Sequence, residues 1–302
     1  MTNHPLHEAF EQELAELERN GLARSLRELS QAGGRVRQGD RLLLNFSSND
    51  YLNLAGDVRV RRAAIEAVEH YGCGATASRL MSGHLELHAE LEAALAELTG
   101  RPAALVFGSG FLTNVGVLTT LADRGDVIIA DRLIHASLVD GARLSGAKLH
   151  RYRHGDTEHL DTLLAGASSA RRRIVVTDSI FSMDGDVAPL EAVATVARRH
   201  GALLVVDEAH AIGVNGPGGG GLCRPLEGEL APDLVIGTLS KSLGSYGGFV
   251  ACSQTMRRLL INRARSFIYS TGLPPAAVAA GLAAVRILRE EPNLGAQLLE
   301  RT

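Results

Sequence analysis

The sequence predicts an α/β fold, a mainly parallel sheet with helices on both faces. Short continuous runs of β-branched and aliphatic residues recur from about residue 104 onward, the pattern of strands buried on both faces. Segments with helical apolar spacing separate these runs, so helical crossovers can join parallel strands. Polar and glycine-rich residues follow directly after the runs, and ligands of open α/β sheets bind at the carboxyl ends of the strands.

The 302 residues suffice for one large α/β domain plus a smaller piece, and a hydrophobic content of 45% supplies ample core. A net charge of −3 gives no reason to expect nucleic acid or an anionic membrane surface as partner. No apolar run approaches the ~20 residues of a transmembrane helix. The polar, acidic opening reads as neither signal nor transit peptide. Cys73, Cys223 and Cys252 are odd in number, far apart and without zinc spacing, which fits a reducing cytoplasm.

Residues 7–29 place Phe10, Leu14, Leu17, Leu22, Leu26 and Leu29 at helical spacing and are expected to form an arm or long helix. Gly33-Gly34 and Gln38-Gly39-Asp40 interrupt the chain. A short strand over 42–46 runs into the polar turn Ser47–Tyr51. A helix over 85–98 precedes a strand over 104–107, and another helix follows Gly110. Further strands are expected over 127–130, 174–178, 203–207, 234–237 and 248–252. Gly216–Gly221 is a tight loop. A helix from Ala276 to about Glu290 follows Pro274-Pro275, and Glu291-Pro292-Asn293 breaks it. The expected division is residues 1–55 as an arm with a small strand, 56–285 as the large α/β domain, and 286–302 as the start of a carboxyl-terminal domain left incomplete.

Of 31 lysines and arginines only two are lysines, Lys148 and Lys241. Arginine stays protonated, whereas a desolvated lysine can act as nucleophile or base. Lys148 reads as an edge charge. Lys241 follows the run Leu234–Ile236 on a Gly/Ser loop, where an α/β enzyme would place a reactive amine; the plain alternative is a solvated loop lysine.

The other strand ends carry comparable pairs of readings. Gly108-Ser109-Gly110 opens a helix, as an anion site or an ordinary strand–helix turn; Thr113 breaks a dinucleotide fingerprint and no P-loop lysine follows. His135 could cap a helix or stack on a planar ligand. Asp184 and Asp186 suggest a metal loop, but without further ligand spacing an Asx turn accounts for them. Asp207-Glu208-Ala209-His210 matches a helicase motif in letters, without a Walker A partner. An acid at that position could also cap a helix, or hold a heterocyclic nitrogen protonated. Thr238 and Ser240 add hydroxyls beside Lys241. Together, a phosphate turn, a flat ring, a hydroxyl, an acid with a histidine, and a lysine are the requirements of pyridoxal phosphate (PLP).

A set of motifs runs along essentially the whole chain: NFSSNDYL at 45–52, SGH at 82–84, Ser109-Gly110-Phe111, ADRLIHAS at 130–137, FSMDGD at 181–186, VDEAH at 206–210, TLSKSLG at 238–244 and IYST at 268–271. As a set they resemble the α-oxoamine synthases, a PLP-dependent family with the aspartate-aminotransferase-like transferase fold, fold type I. The resemblance makes the 56–285 domain the PLP-binding one and implies a cytoplasmic homodimeric acyltransferase. NFSSNDYL and TLSKSLGSYGG are most similar to the branch that condenses L-alanine with pimeloyl-CoA or a pimeloyl-carrier protein, rather than to glycine acetyltransferase or aminolevulinate synthase.

The same resemblance implies residue roles. Lys241 would carry PLP and act as base. Asp207 would pair with the pyridine nitrogen, His210 with the phenolic oxygen, and His135 would stack on the ring. Ser182 would hydrogen-bond near the cofactor. Gly110, Phe111 and Thr238 would hold its phosphate, and Thr271 would reach the phosphate of a neighbouring subunit. Arg24, or Arg27 in a slightly different register, would meet the acyl substrate, with Asn49 and His135 also at the substrate.

Two departures stand out. The family's NDYLGL reads Asn49-Asp50-Tyr51-Leu52-Asn53-Leu54 here, so a glycine is replaced. Family members also run well beyond this length, and the further domain supplies an arginine for the amino acid's carboxylate; no residue here takes that role. The competing expectations are therefore another α-oxoamine synthase, or a PLP-binding but catalytically incomplete scaffold.

Overall fold

The continuous apolar runs become the central strands of one sheet. A computed structural model describes residues 5–32 and 34–302; Gly33, from the first glycine pair, lies outside the described residues. The chain divides into two compact units, Met1–Ser47 and Ser48–Thr302.

The first unit holds helix α1 (Pro5–Arg19) and a three-stranded antiparallel sheet of β1 (Ser30–Ala32), β2 (Arg35–Gln38) and β3 (Arg41–Leu44). Of the arm or long helix expected over 7–29, the helix ends at Arg19, ten residues before Leu29. Gly21 sits at φ 66, Leu22 N–H donates to the Leu17 carbonyl at 2.8 Å, and Gly21 N–H donates to Glu18 at 3.0 Å. This is a Schellman end, which glycine favours because it lacks the Cβ that opposes left-handed backbone. The apolar spacing continued past Gly21, but the backbone did not.

The second unit contains α2 (Val58–Tyr71), α3 (Glu86–Thr99), β4 (Ala103–Phe107), α4 (Gly110–Leu121), β5 (Val127–Asp131), α5 (Ala136–Ser145) and β6 (Lys148–Tyr152). It continues through α6 (Thr157–Gly166), β7 (Arg173–Asp178), α7 (Leu190–Arg199), β8 (Leu203–Asp207), β9 (Leu234–Thr238) and β10 (Gly248–Cys252). It closes with α8 (Gln254–Arg263), α9 (Arg265–Ile268), α10 (Pro275–Glu290) and α11 (Leu294–Leu299).

The sheet order is β4-β10-β9-β8-β7-β5-β6. β10 is antiparallel to both β4 and β9, and the remaining pairs are parallel. Every residue of β4, β5, β9 and β10 is buried. Alternate residues enter opposite cores: Ile128 and Val176 pack with α4 and α5, whereas Ile129 and Val175 pack on the face covered by α3, α7 and α10. Each such fully buried aliphatic side chain contributes about 1.5–3 kcal/mol.

Sequence reading missed β6. It is an edge strand, Lys148 at its start is exposed, and of its five residues only Tyr152 is buried. A strand solvated on most sides has no continuous apolar run to betray it.

Chain direction across the sheet reverses between β5 and β7, because β5 connects outward to β6 while β7, β8 and β9 step the other way. The carboxyl ends of strands beside such a switch point leave a crevice. Asp178 and Asp207 end strands at that edge, and His135 and Lys241 follow strands that end there.

Candidate active site

The crevice forms a cavity of about 210 Å³, lined by Gly110, Phe111, Asn114, His135, Ser137, Asp178, Ile180, Asp207, Ala209, His210, Thr238, Ser240 and Lys241. Eight of the residues singled out from sequence thus meet at one place: Gly110, Phe111, His135, Asp207, His210, Thr238, Ser240 and Lys241.

Lys241 is placed by the tight β9–β10 connection. Leu239 N–H donates to the Gly247 carbonyl at 3.0 Å, Ser245 N–H to Leu239 at 2.8 Å, and Thr238 Oγ1 to Gly247 at 2.9 Å. Leu239 and Leu243 are fully buried and anchor the loop. Gly244, at φ 57, packs so closely that a Cβ there would overlap the Leu54–Ala55 backbone.

Lys241 Nζ lies 2.6 Å from His210 Nε2. Burial lowers the lysine's pKa below its ordinary value, against the opposing charges of Asp207 and Asp178. Burial, and then the nearby Lys241 charge, push His210 down to about 4. Its imidazole is therefore neutral at physiological pH.

Asp207 ends β8 and is buried. Its Oδ1 accepts from Ala209 N–H at 2.9 Å and its Oδ2 from Asn114 Nδ2 at 2.8 Å. Asn114 Nδ2 also donates to Ser137 Oγ at 2.8 Å, and that hydroxyl lies 2.6 Å from His135 Nδ1. Asp178 and Asp207 are register partners on β7 and β8. Burial, and then Asp207, hold the Asp178 carboxyl well above the usual range.

The amino terminus of α4 forms one wall. Ser109 caps it by accepting from Leu112 N–H at 3.2 Å. Gly248 lets β10 approach: a Cβ there would stand 2.6 Å from the Gly110 nitrogen. The exposed first-turn N–H groups and helix dipole of a twelve-residue helix favour an anion at this wall.

Other residues singled out from sequence stand elsewhere. Ser182 is exposed on the loop beyond Ile180, outside the cavity lining. Asp186, in the same loop, is held by His154 Nε2 at 2.7 Å. Thr271 is exposed, bridges Ser78, and borders a separate crevice with Gly108 and Arg79. Asn49 is exposed, and its Oδ1 accepts from Tyr51 Oη at 3.2 Å. Arg24 and Arg27 are exposed in the irregular stretch between α1 and β1 of the first unit.

Sequence reading gave no role to Asn114, Ser137, Asp178 or Tyr51. Asn114 was recoverable in principle: it lies four residues after Gly110, on the same face of α4.

Residues 41–300 match the family described as aminotransferase class I and II. The chain belongs to that family. The 8-amino-7-oxononanoate synthase of Anaeromyxobacter sp. (strain K) is 52% identical over 282 residues, covering 93% of this chain and 71% of that relative. A serine palmitoyltransferase from S. paucimobilis, solved with PLP and myriocin bound, superposes with a TM-score of 0.87 at 32% identity, covering 95% of this chain and 73% of that one. The 8-amino-7-oxononanoate synthase of Francisella tularensis superposes with a TM-score of 0.68 at 30% identity, over 80% of this chain and 68% of that one.

Membership makes this chain a PLP-dependent enzyme of the acyltransferase kind, on the 8-amino-7-oxononanoate synthase branch. The cavity fits PLP. It offers an amine, an acid, a helix amino terminus, and two buried acceptors without a protein partner, Asn114 Oδ1 and Asp178 Oδ1. Among the described residues, no helix is long and apolar enough to cross a membrane.

Proposed function

We propose that this chain condenses L-alanine with a pimeloyl thioester, carried by CoA or by a carrier protein, with release of the carrier thiol and of CO₂. The product is 8-amino-7-oxononanoate, and the role is in biotin biosynthesis. The observation that carries the reading is Lys241: a partly buried amine with a lowered pKa, 2.6 Å from a neutral imidazole, at the cavity of a chain 52% identical to a relative of that name.

When bound, PLP supplies an aldehyde carbon and a ring that stabilises negative charge at an amino acid's α-carbon. Lys241 Nζ would hold the cofactor at that aldehyde carbon and would serve as the base for the amino acid's α-proton. Asp207, with both carboxyl oxygens fixed by Ala209 and Asn114, would pair with the ring nitrogen and keep it protonated. His135 would stack on the ring and His210 would pair with its phenolic oxygen. Gly110, Phe111 and Thr238 would hold the phosphate, with the α4 terminus supplying N–H donors. Ser182 would need its exposed loop to fold inward to reach the cofactor.

The site is proposed to be completed by a second copy of the chain. Thr271 stands outside the lining of its own cavity, which suits a residue serving the neighbour's phosphate. Arg24 or Arg27 is assigned to the acyl substrate, with Asn49 and His135 also at the substrate.

A second reading has its own support. The structural likeness to serine palmitoyltransferase covers 95% of the chain, so serine with another acyl thioester is the closest competing substrate pair. Turnover of L-alanine, serine and glycine, each with pimeloyl-CoA and with palmitoyl-CoA, separates these readings. A preference for alanine supports the proposal, and a preference for serine or glycine replaces it. PLP binding without turnover of any of the three supports the incomplete-scaffold reading.

A further inference from the structure

Three polar contacts run in series away from Lys241. Nζ lies 2.6 Å from His210 Nε2, His210 Nδ1 lies 2.8 Å from Tyr51 Oη, and Tyr51 Oη donates to Asn49 Oδ1 at 3.2 Å. A phenol has one proton to donate, and an amide oxygen only accepts. With that proton committed to Asn49, the Tyr51–His210 contact requires His210 Nδ1–H to be the donor. A neutral imidazole carries a single N–H. Nε2 is then a lone pair facing Lys241.

We propose that Asn49 and Tyr51 are positioning residues that fix His210 as its Nδ1–H tautomer, so that its Nε2 accepts a hydrogen bond from Lys241 Nζ. The inference rests on the reading of Lys241 as the reacting amine, and gives the aspartate-and-tyrosine turn ahead of Leu52 a task within the same site. The contact aims one N–H of Lys241 at Nε2 and thereby sets where the amine's remaining valences point. Burial keeps Tyr51 protonated by raising its pKa, and keeps His210 neutral by lowering its own. The turn itself is rigid: Asp50 Oδ1 accepts from Leu54 N–H at 2.9 Å, and Asn53 N–H donates to the Asp50 carbonyl at 2.9 Å. The charged groups that act on His210 itself are Lys241, Asp207 and His135; Lys241 can only donate to Nε2, so it favours the same tautomer that the Asn49–Tyr51 contact selects.

The test is ¹⁵N NMR of histidine-labelled full-length chain, freed of cofactor, with the His210 signal assigned by its loss in His210→Asn. The expected wild-type spectrum has the proton on Nδ1. Tyr51→Phe removes the acceptor, and the share of His210 protonated on Nε2 is expected to rise, against the opposing donation from Lys241. Asn49→Leu frees the Tyr51 proton to donate to Nδ1 and is expected to cause the same rise with Tyr51 intact. Asn49→Asp keeps an acceptor and is expected to restore the wild-type tautomer. A wild-type His210 protonated on Nε2, or a tautomer indifferent to both Tyr51→Phe and Asn49→Leu, overturns the proposal. Because the readout needs no turnover, its failure is distinct from failure of the Lys241 assignment, which is tested by cofactor absorbance.

Discussion

Asn114, on the first turns of α4, donates through Nδ2 to Asp207 Oδ2 at 2.8 Å and to Ser137 Oγ at 2.8 Å. One amide thus ties the helix that walls the anion end of the cavity to the acid on its floor and to the hydroxyl beside His135. Replacing Asn114 by Ala leaves buried acceptors without their donor, a loss of about 1–3 kcal/mol. The expected result is a PLP dissociation constant raised about tenfold, the equivalent of ~1.4 kcal/mol, measured by absorbance titration. Ser137→Ala should do less, since it leaves the Asn114–Asp207 bond in place.

Asn53 stands where the family has glycine, and its backbone is left-handed at φ 55, ψ 30. Glycine adopts this region freely, asparagine tolerates it, and a β-branched residue does not. Asn53→Gly should leave thermal stability unchanged or slightly raised. Asn53→Val should cost about 1–2 kcal/mol, seen in the denaturation midpoint. The departure from the family pattern is therefore conservative in backbone terms.

Glu208, next to Asp207, is buried, and its oxygens accept from Leu222 N–H at 2.8 Å and Cys223 N–H at 3.2 Å. Burial pushes its pKa from 4.5 to about 7. The folded chain therefore binds more protons than the unfolded chain between those values, and this group's contribution to stability falls as pH rises from about 4.5 to about 7. Glu208→Gln retains an acceptor and removes the titration. Its denaturation midpoint should fall less than the wild type's across that window. Gly221→Ala should destabilise at every pH, because its Cβ would fall within 2.0 Å of Glu208 Oε2 at a backbone φ of 92°.

Much of this arrangement was legible in sequence because it depends on local rules. Leu234–Gly237 and Leu203–Asp207 read as buried strands from continuous apolar runs, and each strand's chemistry follows it directly. What stayed hidden depends on distance or on weak local signal. Asn114 meets Asp207 across 93 positions of sequence, and Tyr51 meets His210 across 159. β6 lacks an apolar run because it is an edge. The overextended first helix followed a real apolar period, while the Asn20-Gly21 pair that ended it was in plain view.

The central claim is that Lys241 is the amine that holds PLP in this cavity. The most direct measurement is the near-visible absorbance of the purified chain with PLP, before and after L-alanine, alongside Lys241→Ala. The account predicts a band that is present in wild type, changes on adding L-alanine, and is absent in Lys241→Ala. A band equally strong in the alanine variant, or no band in a wild-type chain shown to be folded by circular dichroism, would contradict it.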